Sequence, residues 1–358
     1  MLTAALVATL ALAAPAADAA IEHVFLVSID GLRSDMLESP RLEALPNLAR
    51  LLKGPHTLSA RTDSQYTITL PNHLTMLTGR PVLGPYGHNW VGNGDPRSAD
   101  DGGTLQTNKG AYITSVFDVA HDAGVSTGCI SNKSKFWLLQ QSYGWTHGAR
   151  DTTGADNGPA KIDFFLFSDD MRELTGAAVD RARRSSKRTL DFVHLAAPDI
   201  AGHSYDWRIE PGTPYFESVR AVDQALGTLL EGVDQDARLR GHTAIVLTAD
   251  HGGGVPRKTH TDITCPVNFR IPFVVWLGDS TAATDLYALN PTRLNPGREE
   301  IGARDASHQP IRNGDAANVA LSILGLGPIP GSFYGTPDGS APPLRLQPEP
   351  ISANSSSK

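Results

Sequence analysis

Cysteine is almost missing from this chain of 358 residues: Cys129 and Cys265 are the only two. So few thiols exclude a disulfide framework and a zinc site built from several thiolates. One disulfide and two buried free thiols both stay open, because distance along the chain does not say whether two sulfurs meet. Basic excess is lacking too. With 31 Lys and Arg against 38 Asp and Glu, the net charge is −7, so no nucleic-acid-binding surface is expected and any attraction for phosphate must be local. Beyond the first 20 residues no apolar run is long enough to span a bilayer, and no stable membrane anchor is expected. Internal repeats are absent, and nothing in the pattern speaks to oligomeric state. Apolar content, by contrast, is 40%, ample for a buried core.

The opening stretch MLTAALVATLALAAPAADAA is an Ala/Leu run followed by small residues that fit an A-x-A cleavage site around Ala17, Asp18 and Ala19. Residues 1–19 therefore read as a signal peptide, although the usual Lys or Arg at its start is missing, and the mature protein is expected to be exported, periplasmic or secreted. From there strands are expected at 23–30, 125–131, 242–250 and 269–277. Helices are expected at 41–53, 115–123, 169–187, 213–233 and 314–326. This βα rhythm predicts an α/β fold, a doubly wound and mostly parallel central sheet with helices on both faces, in one domain over 20–339. Residues 81–110, rich in Gly, Asn and Asp without apolar periodicity, read as a loop insertion at the active edge. Residues 340–358, rich in Pro and Ser, read as a disordered tail.

Three apolar runs end in acid, or in acid and histidine: VFLVSIDG at Asp30, DFVHLAAPDIAGH at Asp199 and His203, TAIVLTADHGG at Asp250 and His251. Runs without alternation mark strands buried on both faces, and in such sheets ligands bind beyond the carboxyl ends of the strands. Three strands would thus bring oxygen and imidazole donors to one edge, where they could hold a borderline cation such as zinc. Asp199 and His203, four apart, share a face of any helical turn. Asp250 and His251 are followed by Gly252, Gly253 and Gly254, which stop the strand, and at a strand end adjacent residues can straddle two ions. Taken singly, each of these residues also reads as a helix cap or a hydrogen-bonded core histidine. In YTITLPNH, Pro71 fits the first turn of a helix and leaves Thr69 near the N-cap. A helix start also offers N–H groups to a phosphate, and a hydroxyl beside a divalent ion can lose its proton, so Thr69 is the candidate nucleophile.

In their order and context, the ID-G end at Asp30, the T-x-P-N-H segment at Thr69 to His73, the TGRP after it, the PD-x-x-GH segment and the ADHGG segment carry a family likeness. The chain resembles the alkaline phosphatase superfamily and, within it, the type I phosphodiesterase/nucleotide pyrophosphatase branch. The resemblance implies an alkaline-phosphatase-like fold and hydrolysis of a small-molecule phosphate ester or nucleotide with two Zn2+ ions. By resemblance Asp30, Thr69, Asp250 and His251 would hold one zinc, and Asp199, His203 and a later histidine the other. His260 and His308 compete for that last place; His260 is preferred because it precedes the returning strand at 269–277. Asn93, in HNWVGN, falls where the branch places an amide donor to a phosphoryl oxygen, with Asn72 as its rival. The implied mechanism is in-line attack by Thr69, a phosphothreonine hydrolysed by water, and backbone N–H groups at the helix start holding the nonbridging oxygens. A phosphomonoesterase could use the same metals with Arg80, Lys133 or Lys135 as added positive donors. A non-catalytic secreted zinc-containing binding protein is the remote alternative. The Cys/Ser-x-Pro-x-Arg segment of a sulfatase is absent.

Overall fold

Strand β1 (His23–Ile29) is buried along its whole length, as an unbroken apolar run requires when both faces of a sheet are covered. The computed structural model describes residues 20–97, 103–144, 149–154, 156–278, 283–336 and 340–347. Around β1 lie β2 (Pro55–Arg61), β3 (Ser126–Ser131), β4 (Phe164–Phe167), β5 (Thr189–Leu195), β6 (Thr243–Thr248), β7 (Arg270–Leu277) and β8 (Thr284–Asp285), in the order β4-β3-β5-β1-β6-β7-β2-β8. Every pairing is parallel except those of β7 with β6 and β2. The expected mostly parallel α/β sheet is therefore present.

Two sets of helices flank it. Ala316–Ile323 packs on β1 and β6 together with Thr69–Thr78 and Val116–Asp122. Met171–Arg184 packs on β3 and β5 and on the long helix Pro214–Gln235, which also meets Pro46–Leu51 and Ala197–Ser204. The helix expected over 41–53 is interrupted: a tight 3-10 turn, Arg41–Ala44, precedes a helix that begins at Pro46, because proline is tolerated in a first turn but not inside a helix. Strands β2 and β8 have no apolar pattern to announce them, and the four-residue apolar run of β4, FFLF, is not among the expected strands. Among the described residues no helix is long and apolar enough to cross a membrane.

Both cysteines are free, Cys129 buried in β3 and Cys265 partly exposed, so no bridge joins them. In the segment 81–110, Val82, His88, Trp90 and Leu105 are buried and a short helix, Leu105–Lys109, forms; residues 98–102 lie outside the described ones. The expected tail departs from expectation at its start. Ala341 and Leu344 are buried, and Arg293 donates to the Pro342 carbonyl, so two apolar side chains and a buried guanidinium pin this stretch down. The segment 1–19 and residues 348–358 lie outside the described residues.

The parallel trio β5-β1-β6 sets the site. Ile29 pairs with Leu195 and Ser28 with Thr248, so the three chains leave the sheet side by side, Asp30 N–H donating to Leu195 O and Asp199 N–H to Asp30 O.

Candidate active site

Asp30, Asp199 and Asp250 are all buried at this edge, and each ties down one carboxylate oxygen. Asp30 Oδ2 accepts from Lys133 Nζ at 2.7 Å and from His194 Nε2 at 3.0 Å. Asp199 Oδ2 accepts from Lys133 Nζ at 2.5 Å, and Asp250 Oδ1 from the Gly31 N–H at 3.0 Å. The other oxygen of each, Asp30 Oδ1, Asp199 Oδ1 and Asp250 Oδ2, is buried without a hydrogen-bond partner. Three carboxylate oxygens so placed need a cation beside them, either a protonated His251 or a metal ion in its stead.

Histidines complete the set. His251 Nε2 lies 3.1 Å from Asp250 Oδ2, 3.6 Å from Asp30 Oδ1 and 3.9 Å from Asp199 Oδ1. His203 Nε2 lies 3.3 Å from Asp199 Oδ1 and 3.2 Å from His260 Nε2. Asp30, Asp199 and His251 form one group with the spacing of metal ligands, and Asp199, His203 and His260 another. His203 and His251 each donate Nδ1–H to a main-chain carbonyl, of Lys258 and Gly252, both at 2.8 Å, which orients Nε2 toward the cluster. Hard oxygens and imidazole nitrogens of this kind fit borderline divalent metal ions. Asp199 is common to both groups, a detail the expected ligand division did not contain. His308 is exposed and belongs to no such group among the described residues.

The charges are strongly coupled. Burial would raise the Asp30 carboxyl, but Lys133 and then His194 hold it well below the usual range. Burial disfavours a charge on His251, yet Asp250, Asp199 and Asp30 push its pKa up to about 9. Burial first, and then the neighbouring His251, push His260 down to about 3.

One indole underpins the histidines. Trp207 is buried, with its ring centroid 6.2 Å from that of His251 and 6.0 Å from those of His203 and His260. A Cβ placed on Gly31, Gly202 or Gly253 would come within 2.7, 2.3 or 2.4 Å of this ring. The glycines of all three acidic segments thus make room for the same side chain.

Thr69 opens the helix Thr69–Thr78 after an extended Ile68 and makes no capping bond; its Oγ1 is 3.4 Å from His251 Nε2. The N-cap reading is excluded by this geometry. The cap comes from outside, since Asn93 Oδ1 accepts the Leu70 N–H at 3.0 Å. That bond corrects the expectation that several N–H groups at the helix start would face a phosphate: Leu70 is taken, Pro71 has none, and Asn72 N–H donates to Ile68 O. Asn72 as a substrate-binding amide is also corrected. It is fully buried, its Nδ2 donates to the carbonyls of Tyr66 and Ile68, and its Oδ1 accepts from Asp63 N–H and the Thr62 hydroxyl. Asn93 is exposed at the site, with Lys135 Nζ donating to its Oδ1 at 2.9 Å. Of the three extra cations considered, Lys133 and Lys135 reach the site, whereas Arg80 donates to the Pro330 and Tyr86 carbonyls.

Four supporting residues went unassigned in the sequence: Lys133 as the partner of two carboxylates, His194, His73 and Trp207. His73 donates Nδ1–H to Thr69 O at 2.8 Å while its Nε2 meets Ser28 Oγ at 2.7 Å. Its place in the T-x-P-N-H segment, and the polar His194 within an apolar strand, were the available signals; Trp207 offered none.

A sequence model of the type I phosphodiesterase / nucleotide pyrophosphatase family matches residues 24–262, which includes all three acidic segments, Thr69 and His260. The chain belongs to this family. The family's description is that of type I phosphodiesterases and nucleotide pyrophosphatases. Among curated relatives of this family member, GPI ethanolamine phosphate transferase 1 of Yarrowia lipolytica is 31% identical over 148 residues, covering 36% of this chain. The aligned stretch spans only 15% of that relative's length. Similar folds occur in an alkaline phosphatase superfamily protein from Vibrio parahaemolyticus (14% identity, TM-score 0.55, 88% of this chain and 69% of that one). They occur also in the C-terminal periplasmic domain of EcEptC from Escherichia coli (14% identity, TM-score 0.53, 91% and 87%).

Proposed function

We propose that this chain hydrolyses phosphoric esters through a covalent phosphothreonine at Thr69, as a phosphodiesterase/nucleotide pyrophosphatase with two bound Zn2+ ions. Asp30, Asp250, His251 and the Thr69 oxygen would hold one ion, and Asp199, His203 and His260 the other. When bound, the two ions supply Lewis acidity toward the nucleophile and the leaving oxygen. The observation that carries the reading is the uncapped Thr69 hydroxyl, 3.4 Å from His251 Nε2 and beside three orphaned carboxylate oxygens.

Thr69 Oγ attacks phosphorus as it loses its proton; the Oγ–P bond forms, the P–O bond to the leaving group breaks, and the leaving oxygen takes up a proton. Water then cleaves the Oγ–P bond, restoring the hydroxyl and releasing the phosphate product. His73 holds the Thr69 carbonyl and so orients the nucleophile. Asn93, its Oδ1 engaged by Leu70 N–H and Lys135, keeps Nδ2 as a donor for a nonbridging oxygen. Small phosphate esters or nucleotides are the substrate class, and residues 1–19 support an exported, periplasmic or secreted location. A zinc-holding binding protein without catalysis would have no use for the free hydroxyl. A second reading, monoester hydrolysis, is favoured by the ammonium of Lys135 beside Asn93.

The test is an acid-quenched reaction with a nitrophenyl phosphodiester in the presence of zinc, followed by peptide mapping. Phosphate on the Thr69 peptide is the expected result; turnover without a modified Thr69 would refute the mechanism.

A further inference from the structure

We propose that Arg33, Arg208 and Arg257 bound a second anion site, apart from the catalytic centre, which takes a phosphate-type oxyanion and ties together the two loops that carry His203 and His260. The three guanidiniums line one cleft of about 410 Å³ with Asp206, Trp207 and Gly254. This cleft lies where the loop leaving His203 meets the loop that leads to His260. His203 Nδ1–H donates to Lys258 O and Lys258 Nζ to Ser204 O, both at 2.8 Å, and Arg257 Nη2 donates to Asp206 Oδ2 at 3.2 Å. Trp207 belongs to both places, since its ring also lies against His203 and His260. At Gly254, with a φ of 112°, a Cβ would meet Trp207 Cβ at 3.1 Å and Arg33 Nη1 at 3.4 Å. The wall there is main chain alone.

The three guanidiniums are unequally engaged. Arg33 donates through Nε and Nη2 to the Asp35 carboxylate and through Nη1 to the Trp207 carbonyl, so its charge is met locally. Glu210, whose charge also acts on Arg33, is exposed and lines a separate hollow. Arg208 and Arg257 share the single carboxylate of Asp206, which leaves the cleft with about one positive charge. Arg208 gives Asp206 only its Nε–H, at 3.1 Å to each oxygen, and Arg257 gives only Nη2. Among the described residues, both Nη groups of Arg208 and the Nε and Nη1 of Arg257 have no further hydrogen-bond partner. The two Nη groups of Arg208 form the fixed fork that suits two oxygens of a phosphate. Both side chains are open to solvent, 64% and 78% exposed, so an ion can reach them. As a clamp alone these exposed pairs would contribute little. An oxyanion held by Arg208 on one loop and Arg257 on the other bridges the loops in the way Asp206 already does.

The experiment titrates the zinc-loaded full chain with inorganic phosphate by calorimetry, as wild type, Arg208→Gln/Arg257→Gln and Asp206→Asn. Hydrogen exchange of the amides in residues 204–208 and 254–260 is the second readout. The wild type is expected to bind one phosphate here besides any at the catalytic centre, and the double variant to bind it at least about ten-fold more weakly. Asp206→Asn removes the competing carboxylate and should tighten this phosphate about three-fold or more, whereas a clamp without a ligand predicts no change. Phosphate should slow exchange in both loops of the wild type and in neither loop of the double variant. A comparison of kcat/KM for ATP and methyl para-nitrophenyl phosphate identifies the source of the oxyanion. A loss of about ten-fold for ATP alone in the double variant marks it as a remote phosphate of the substrate, and unchanged rates on both mark it as a free ion. Phosphate binding of equal number and affinity in the wild type and the double variant overturns the second site, whatever Thr69 does. Bound phosphate that leaves exchange in both loops unchanged overturns the tie between them.

Discussion

The imidazole rings of His251 and His260 stack face to face, with centroids 3.6 Å apart and planes 16° from parallel. Two stacked imidazolium ions would repel, and the surroundings assign the proton to one of them. Three carboxylates keep it on His251, whose pKa reaches about 9, while burial and that charge keep His260 neutral, near 3. A metal ion bonded to His251 Nε2 must therefore displace a proton.

That displacement gives a pH signature. Below pH 9 the metal-free protein holds the His251 proton, so zinc uptake at neutral pH releases it, and apparent zinc affinity rises with pH until about 9. Calorimetric titrations of the chelator-stripped protein in buffers of different ionisation enthalpy measure the release. Uptake with no proton released would mean that His251 is not a ligand.

Removing the hydroxyl separates nucleophile from cap. Thr69→Ala is expected to keep its zinc and its fold and to lose kcat by about three orders of magnitude or more. Since Thr69 makes no capping bond, the stability change should be below about 0.5 kcal/mol, where loss of a true N-cap typically costs about 1 kcal/mol. Steady-state kinetics and urea denaturation decide between the two.

His260→Ala and His308→Ala should differ sharply in bound zinc. His260 is buried beside Asp199 and His203, whereas His308 is exposed. Elemental analysis after dialysis should show zinc lost from the first variant and full zinc in the second; the reverse pattern would exclude His260 as a ligand.

Trp207 offers a test of the scaffold. Gly253→Ala puts a methyl group 2.4 Å from ring atoms of the indole. Overpacking of this sort costs about 1–3 kcal/mol, and because the ring supports three histidines, zinc affinity should fall with stability. Gly241→Ala provides the control for a methyl group alone: it meets no atom within 4 Å, and its positive φ of 80° brings only local strain. Equal zinc affinity in the two variants would remove Trp207 from the support of the site.

The segments ending at Asp30, Asp199 and Asp250 were legible because a strand covered on both faces needs an unbroken apolar run, and polar residues at its carboxyl end interrupt that run visibly. Position 69 was legible for a similar local reason, Pro71 marking a first helical turn. Strand β2, half polar, has no such local mark, since its pairing is with residues far along the chain, and the apolar run of β4, FFLF, is too short to tell a strand from a helical turn. The same holds for the contacts that shape the site. Asn72 and Asn93 are chemically equivalent amides, and only the packing of the helix Thr69–Thr78 against Thr62 and Asp63 turns one inward and leaves the other at the nucleophile. Lys133 meets Asp30 across 103 residues, and Trp207 meets glycines from three separate segments. Local periodicity records which face of an element is buried; which side chains then converge depends on long-range close packing, and that exists only in the folded chain.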